Sequence, residues 1–314
     1  MDRVDVKIFR SLFQGELAGP LSMDPRTSFK AIARSLDIDE LTVRNRLRRL
    51  QRMGFLKGWR LFVNPTLLGV ELVQALIEFR SPRRQLIEAL RALPRITAIV
   101  EHLADSMWIA FICDDDQSCG RQVNLIEELA GTKVSALFKA RFPNSDLKLT
   151  PTDVEMVANL SRDPRKRYSD VAKELGLSTR TVRRRLVRLV EGKAVFVIPS
   201  MDPSSLEGAL FADFLVEYAG AEDMIRVNQD IHTKLESYLV RSQLGDPDYG
   251  FFNLLITKVS AIREILDSVT SIRGVKGGRI DVVQDRLEMF DHFEGIQRLR
   301  LTAKSRFRHA KLDS

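Results

Sequence analysis

Five arginines crowd one short segment, Glu40 to Met53: Arg44, Arg46, Arg48, Arg49 and Arg52, against the single acid Glu40. A guanidinium is permanently charged and pairs in a fixed fork with carboxylates, phosphates and base edges. The chemistry such a set offers is anion binding rather than bond-making. A second set of five, Arg180, Arg183, Arg184, Arg185 and Arg188, follows, and at an offset of 139 residues Arg183, Arg185 and Arg188 repeat Arg44, Arg46 and Arg49. At that offset, residues 24–50 and 163–189 share 12 identities in 27 positions without a gap. These include Asp24-Pro25-Arg26 with Asp163-Pro164-Arg165, and a common core, Thr-Val-Arg-x-Arg-Leu-x-Arg-Leu. A solvated charged face has no reason to repeat its arginines in register.

The elements that must carry these arginines follow from the apolar spacing. Val43, Leu47 and Leu50 fall at i, i+4 and i+7, one face of a helix. Asp39 and, in the second copy, Ser178 stand where a capping oxygen can accept a free first-turn N–H. Residues 2–13 predict a helix with Val6, Phe9, Leu12 and Phe13 on one side, and Ser28 to Leu36 a second. Gly19-Pro20 and Asp24-Pro25 mark the stretch from Gly15 to Asp24 as a loop. After the basic helix, Phe55 to Val63 predicts a small β-hairpin around Gly58. Helix, helix, turn, basic helix, hairpin is the order of a winged helix-turn-helix. Such a unit places a helix in a major groove and a wing against the neighbouring backbone.

Beyond Asn64-Pro65 the expected order is strand (71–79), helix (83–93), strand (96–103), strand (107–113), helix (121–129) and strand (134–142). This βαββαβ order predicts a ferredoxin-like layer of helices on one face of an antiparallel sheet. The uncovered face should carry Leu72, Gln74 and Leu76, which is costly in water. The blocks are therefore expected to associate sheet to sheet, within the chain or between two chains. Both units recur after the linker Phe142 to Ser145. The fold class is thus α+β, a tandem duplication. It has a winged helix-turn-helix at 1–64, a ferredoxin-like domain at 65–145, a second pair at 146–202 and 203–290, and a basic tail at 291–314. The tail reads as a helix extension or a disordered arm.

Charge follows the same division. Lys+Arg against Asp+Glu is 13 to 7 over residues 1–64 and 12 to 8 over 146–202. The intervening blocks reverse it, 9 to 10 over 65–145 and 9 to 14 over 203–290. Some blocks suit a polyanion and others do not. No run of 18 apolar residues predicts a membrane span, and the N-terminus lacks the apolar core of a signal peptide. A cytoplasmic location is expected. Cys113 and Cys119, without clustered histidines, fit neither a zinc site nor a disulfide framework. No metal, cofactor or catalytic residue is assigned, and no triad, P-loop or Gly-rich nucleotide loop is present.

With these motifs in hand, the chain resembles the Lrp/AsnC family of prokaryotic transcription regulators. The residues that carry the likeness are Val4 to Leu12 and Thr42 to Leu50, with the βαββαβ block behind them. The resemblance implies sequence-specific binding of double-stranded DNA and a homodimer. The candidate contacts are Thr42, Arg44, Asn45, Arg46, Arg48, Arg49 and Arg52, with Thr179, Arg180, Thr181, Arg183, Arg184, Arg185 and Arg188. Arg44, Asn45, Arg48, Arg180, Arg183 and Arg184 face outward from the apolar stripe and should reach base edges. Arg46, Arg49, Arg185 and Arg188 lean toward the packed face, to hold phosphates or neighbouring acids.

The resemblance further implies a small-molecule effector, commonly an amino acid, near a Gly-x-x-Asp turn. Gly245, Asp246, Asp248 and Tyr249 fit that turn, while the first copy keeps only Asp105 beside Met107 and Trp108. Gly, Asp and Pro also favour a plain hairpin turn for backbone reasons. The same two-domain order also resembles the siroheme decarboxylases, which can occur as fused pairs and place histidine and arginine near an anionic tetrapyrrole. Here His102 lies near Trp108, but the four histidines do not cluster. A surface or half-buried His102 is expected, with DNA binding as the main reading and this enzyme as the alternative.

Overall fold

The computed structural model describes residues 1–11, 29–79 and 82–309. The expected loop from Gly15 to Asp24, the Asp24-Pro25-Arg26 half of the repeat and Ala310 onward lie outside the described residues. The first half runs α1 (Arg3–Ser11), α2 (Phe29–Ser35), α3 (Glu40–Arg52), β1 (Leu56–Val63), α4 (Pro65–Leu68), β2 (Glu71–Glu78), α5 (Arg83–Arg91), β3 (Ile96–His102), β4 (Ser106–Cys113), α6 (Asp116–Ala130) and β5 (Val134–Ala140). The second half repeats it as α7 (Pro151–Leu160), α8 (Tyr168–Glu174), α9 (Thr179–Glu191), β6 (Val195–Met201), β7 (Leu210–Tyr218), α10 (Ala221–Lys234), β8 (Leu239–Asp246), β9 (Tyr249–Ile256), α11 (Ala261–Thr270) and β10 (Val275–Glu288). A final helix, α12 (Phe290–His309), takes the helical course of the two expected for the tail.

The expected hairpin at 55–63 is a correction. That segment is one strand, β1, and its antiparallel partner is β6 of the other half, from Leu56↔Met201 to Val63↔Val195. Gly58 marks a shift of register rather than a turn. The pairing also exchanges core residues. Leu61, Phe62 and Val63 of β1 join Val157, Val182, Leu186 and Leu189 of the second helix-turn-helix. Met201 of β6 joins Phe9, Val43, Leu47 and Leu50 of the first. Each such side chain contributes roughly 1.5–3 kcal/mol by leaving water, so neither helix-turn-helix completes its core without strands from both halves.

The eight remaining strands close a barrel in the order β10-β3-β4-β2-β5-β8-β9-β7. Each half supplies a four-stranded sheet, and the last strand of each pairs with the second strand of the other. The two seams differ in length. β10 and β3 pair from Val283↔His102 to Glu288↔Ala98, whereas β5 and β8 share only Lys139↔Asp246 and Ala140↔Gly245. The two sheets therefore associate within the chain, and the two expected ferredoxin-like blocks form one closed body.

Side-chain alternation along each strand sorts the layers. On β2, Val73, Ala75 and Ile77 pack outward under α5 and α6 with Leu86, Leu90 and Ile126. Leu72, Gln74 and Leu76 alternate with them and turn to the barrel interior, beside Trp108 and Phe251. The apolar face that would be costly in water is thus covered by its own duplicate. Cys113 and Cys119 are both buried and free, and their mutual hydrogen bond, with burial, raises the Cys113 thiol above its ordinary pKa.

Candidate nucleic-acid interface

The two basic helices start and pack as their sequences dictate. Asp39 accepts the Thr42 N–H at 2.7 Å, and Ser178 accepts the Thr181 N–H at 3.1 Å. Hydrogen bonds from Thr42 lower the Asp39 pKa below the ordinary carboxylate value. Val43, Leu47 and Leu50 are buried on α3, and Val182, Leu186 and Leu189 on α9. Both helices therefore turn equivalent faces outward.

The arginines divide into two groups. Arg46 and Arg49 reach back to Asp5 of α1, whose side chain is fully buried; the Arg46–Asp5 contact is 2.9 Å, and Arg46 also meets Asp2 at 2.7 Å. The hydrogen bond to Asp2 raises the Arg46 pKa. In the second half, Arg185 and Arg188 converge on Asp153 of α7, equally buried, with Arg185 at 2.9 Å. Burial alone would raise the Asp153 pKa. Hydrogen bonds from Thr150 and the two arginines outweigh it and hold the carboxyl below its ordinary value. Of the phosphates and neighbouring acids open to these four arginines, the structure supplies acids. Sequence reasoning missed Asp5 and Asp153 as their anchors. The available signal was one acid inside the apolar face of each first helix.

The outward group is exposed. Arg44 is tied to Glu40 at 2.5 Å and lies over the Phe29 ring at 5.1 Å. Arg48, Arg52, Arg180, Arg183 and Arg184 have no ion-pair partner among the described residues, and Asn45 and Thr179 are exposed beside them. Thr42 and Thr181 are half-buried, their hydroxyls engaged with the capping residues. Each half thus presents uncompensated guanidinium groups on a rigid, capped helix. That arrangement suits phosphate and base-edge contact.

The turn at Gly245 lies on the short barrel seam. A Cβ on Gly245 would collide with the Phe138 ring, so the glycine permits close approach of β5 and β8. Asp246 accepts from Arg141 Nε at 2.8 Å, and Tyr249 packs against Phe138 with ring centroids 6.0 Å apart. The Asp248 carbonyl accepts the Tyr218 N–H at 2.8 Å. His102 corrects the expectation of a surface or half-buried ring. It has no accessible surface, and it bonds Ser106 Oγ at 2.8 Å and approaches Asp213 Oδ2 at 3.4 Å. No described helix is long and apolar enough to cross a membrane.

Comparison with known proteins bears on both halves. Residues 149–190 match the AsnC-type helix-turn-helix domain, and residues 1–57 match a winged helix-turn-helix DNA-binding domain. An HTH-type transcriptional regulator of Methanocaldococcus jannaschii is 38% identical over 101 residues, 32% of this chain and 62% of that protein. The HTH-type transcriptional regulator LrpA of Pyrococcus horikoshii is 43% identical over 53 residues, 17% of this chain and 38% of that protein. The chain spans less than two thirds of the length of these relatives. Among solved structures, the siroheme decarboxylase NirDL aligns over 95% of this chain and 98% of its own, at 15% identity and a TM-score of 0.51. At that identity the likeness is one of fold. The chain carries an AsnC-type helix-turn-helix domain at residues 149–190 and a winged helix-turn-helix DNA-binding domain at residues 1–57, one in each half of a duplicated α+β fold.

Proposed function

We propose that the protein is a sequence-specific, double-stranded-DNA-binding transcription regulator, acting in the cytoplasm and without catalysis. The observation that carries the reading is the split among the arginines. The inner four are paired, two each, with two buried acids, while Arg48, Arg52, Arg180, Arg183 and Arg184 have no ion-pair partner among the described residues and lie on the outer faces of two capped helices. Charge left uncompensated on the outer face of each capped helix is what a phosphate backbone would satisfy. Arg44, Asn45, Arg48, Arg180, Arg183 and Arg184 are assigned to base edges, and Arg52 with the Thr42, Thr179 and Thr181 region to the backbone. For the turn at Gly245 we favour a structural duty over an effector site, because its glycine and Asp246 are engaged by Phe138 and Arg141.

The test is a salt titration of binding to genomic fragments. Affinity should fall by about tenfold or more between 50 and 200 mM salt. Arg48→Ala and Arg184→Ala should each weaken specific binding by about 1–3 kcal/mol. A flat salt dependence, or unchanged binding in both variants, would sink the reading.

The alternative, siroheme-decarboxylase-like chemistry, draws on the full-length fold likeness to NirDL. Against it stand the sealed His102 and the free arginines of α3 and α9. Adding siroheme to the purified protein should give no shift of its absorption bands.

A further inference from the structure

Between the two sheets of the barrel lies a cavity of about 120 Å³ that the DNA-binding reading does not use. Its walls are mostly apolar. Trp108, Val100 and Ala110 line one side and Phe251 the other, while Phe62 of β1 with Phe290 and Phe293 of α12 cover one end. Three charged side chains, Arg241, Arg286 and Glu288, also line it. Arg241 of β8 lines the cavity, and burial lowers its guanidinium pKa to about 10, far enough above neutrality to leave it charged.

A buried chain of hydrogen bonds fixes that guanidinium from behind. Arg241 Nε donates to Asn253 Oδ1 at 2.9 Å, and Asn253 Nδ2 donates to Asp213 Oδ1 at 2.6 Å. Asp213 Oδ2 lies 3.4 Å from His102 Nε2, and His102 is held by Ser106. The network uses Nε, and neither Nη atom of Arg241 makes a hydrogen bond among the described residues, its charge being offset only through space by the Asp213 and Glu288 carboxylates. An uncommitted fork in an apolar cavity is costly unless something accepts from it.

The rest of the lining defines what that acceptor is. Arg286 and Glu288 also line the cavity and pair with each other, Arg286 Nε donating to Glu288 Oε1 at 2.9 Å, and Ser200 Oγ donates to the second Glu288 oxygen at 2.8 Å. Gln74 Nε2 and Gln243 Oε1 bond at 3.1 Å across the barrel. The lining guanidiniums thus outnumber the carboxylate by one, and no carboxylate is free for an ammonium group. For scale, an apolar cavity of about 150 Å³ holds one benzene. The space suits a single ring or a short branched chain.

We propose that the barrel cavity binds a small organic monocarboxylate, its carboxylate on the Arg241 Nη atoms and its apolar body against Trp108 and Phe251. The site is separate from the Gly245 turn and independent of whether the protein binds DNA. Arg241 is its anchor, and Asn253 and Asp213 position that anchor. The two halves of the chain contribute unequally: the anchor and its supports Asn253 and Asp213 come from the second, and Trp108 from the first.

The full-length protein is titrated by calorimetry with benzoate and isovalerate, each beside a control lacking the matched charge pattern. Benzyl alcohol keeps the ring without the anion, and L-valine adds an ammonium to the isovalerate body. Saturable binding of at least one carboxylate is expected, about tenfold or more tighter than its control. Trp108 emission should change with the same midpoint. Arg241→Gln should abolish the preference for the anion while keeping the far-ultraviolet circular dichroism of the parent. If that variant does not fold, Ala110→Leu, which fills the cavity from the opposite wall and leaves Arg241 intact, should abolish binding instead. No saturable binding of either carboxylate, equal binding of the neutral control, or binding that survives the folded variant would overturn the proposal. Tight binding of iron-uroporphyrin with none of the monocarboxylates would overturn it as well.

Discussion

Asp5 and Asp153 decide which arginines remain outside the protein. Each is a fully buried carboxylate that takes two guanidinium groups from the following basic helix. Removing one partner of a buried pair strands the remaining charges, which costs about 3–5 kcal/mol. Asp153→Asn should therefore lower unfolding stability by about 3 kcal/mol, read from urea titration at neutral pH. The pH dependence has a defined sign. The folded Asp153 pKa lies below its unfolded value, so its contribution is complete above that unfolded value, near 3.8, and fades as pH falls toward the lower folded pKa. The stability difference between parent and Asp153→Asn should shrink as the medium is acidified below about pH 4. A difference that stays constant down to pH 2 would show that Asp153 acts through packing rather than charge.

At the scale of elements, strand exchange and the final helix tie the two halves together. α12 lies over β1: Phe62 meets Phe290 and Phe293 at ring separations of 5.4 and 5.0 Å, and the buried Gln297 Oε1 accepts the Val63 N–H at 3.0 Å. Arg300 pairs with Asp114 at the end of β4, and Arg162 with Asp291. A chain ending at Met289 would expose Phe62 and lose two phenylalanine side chains from the second helix-turn-helix core. Its unfolding stability should fall by about 2–4 kcal/mol on transfer of the buried Phe293 and half-buried Phe290 rings alone. The first helix-turn-helix should be spared, since its core clusters with Leu56 and Met201 instead. Hydrogen exchange checks this: faster exchange in α7 to α9 with α1 to α3 unchanged is the expected pattern. Uniform acceleration would show that the two cores unfold as one.

At the scale of the whole molecule, closure of the barrel within one chain changes what dilution can do. Each sheet already has its partner, so the Trp108 environment needs no second copy. Near-ultraviolet circular dichroism should be the same at micromolar and nanomolar concentration, whatever further association the chain makes through other surfaces. A loss of signal on dilution would mean that the barrel is built between chains. Fusion lets the two copies diverge, and the cavity shows the result: Arg241 faces Asn253 across the strand pair in the second half, where the first half pairs Ala98 with Ala110.

Much of this protein was legible in its sequence because the signals were local. Apolar residues at helical spacing, capping oxygens at Asp39 and Ser178, and alternation along the strands each involve neighbours within a few residues. The basic helices, the βαββαβ order and the apolar inner face at Leu72, Gln74 and Leu76 followed from them. What the sequence could not decide depends on contacts between residues far apart in the chain. Whether 55–63 folds back as a hairpin or pairs with β6 is a contest between two partners that satisfy the same backbone groups. Only the packing of both helix-turn-helix units against that strand settles it. Whether Arg46 and Arg49 face phosphate or acid turned on Asp5, more than 40 residues earlier. His102 gave no sign of its burial, because Asp213 comes from the other half of the chain, and Arg241 looked like any strand arginine until the barrel closed around it. Local spacing therefore determined the elements. Closure of two equivalent sheets on each other decided the seams, the exchange of cores and the setting of Arg241 in the wall of the cavity.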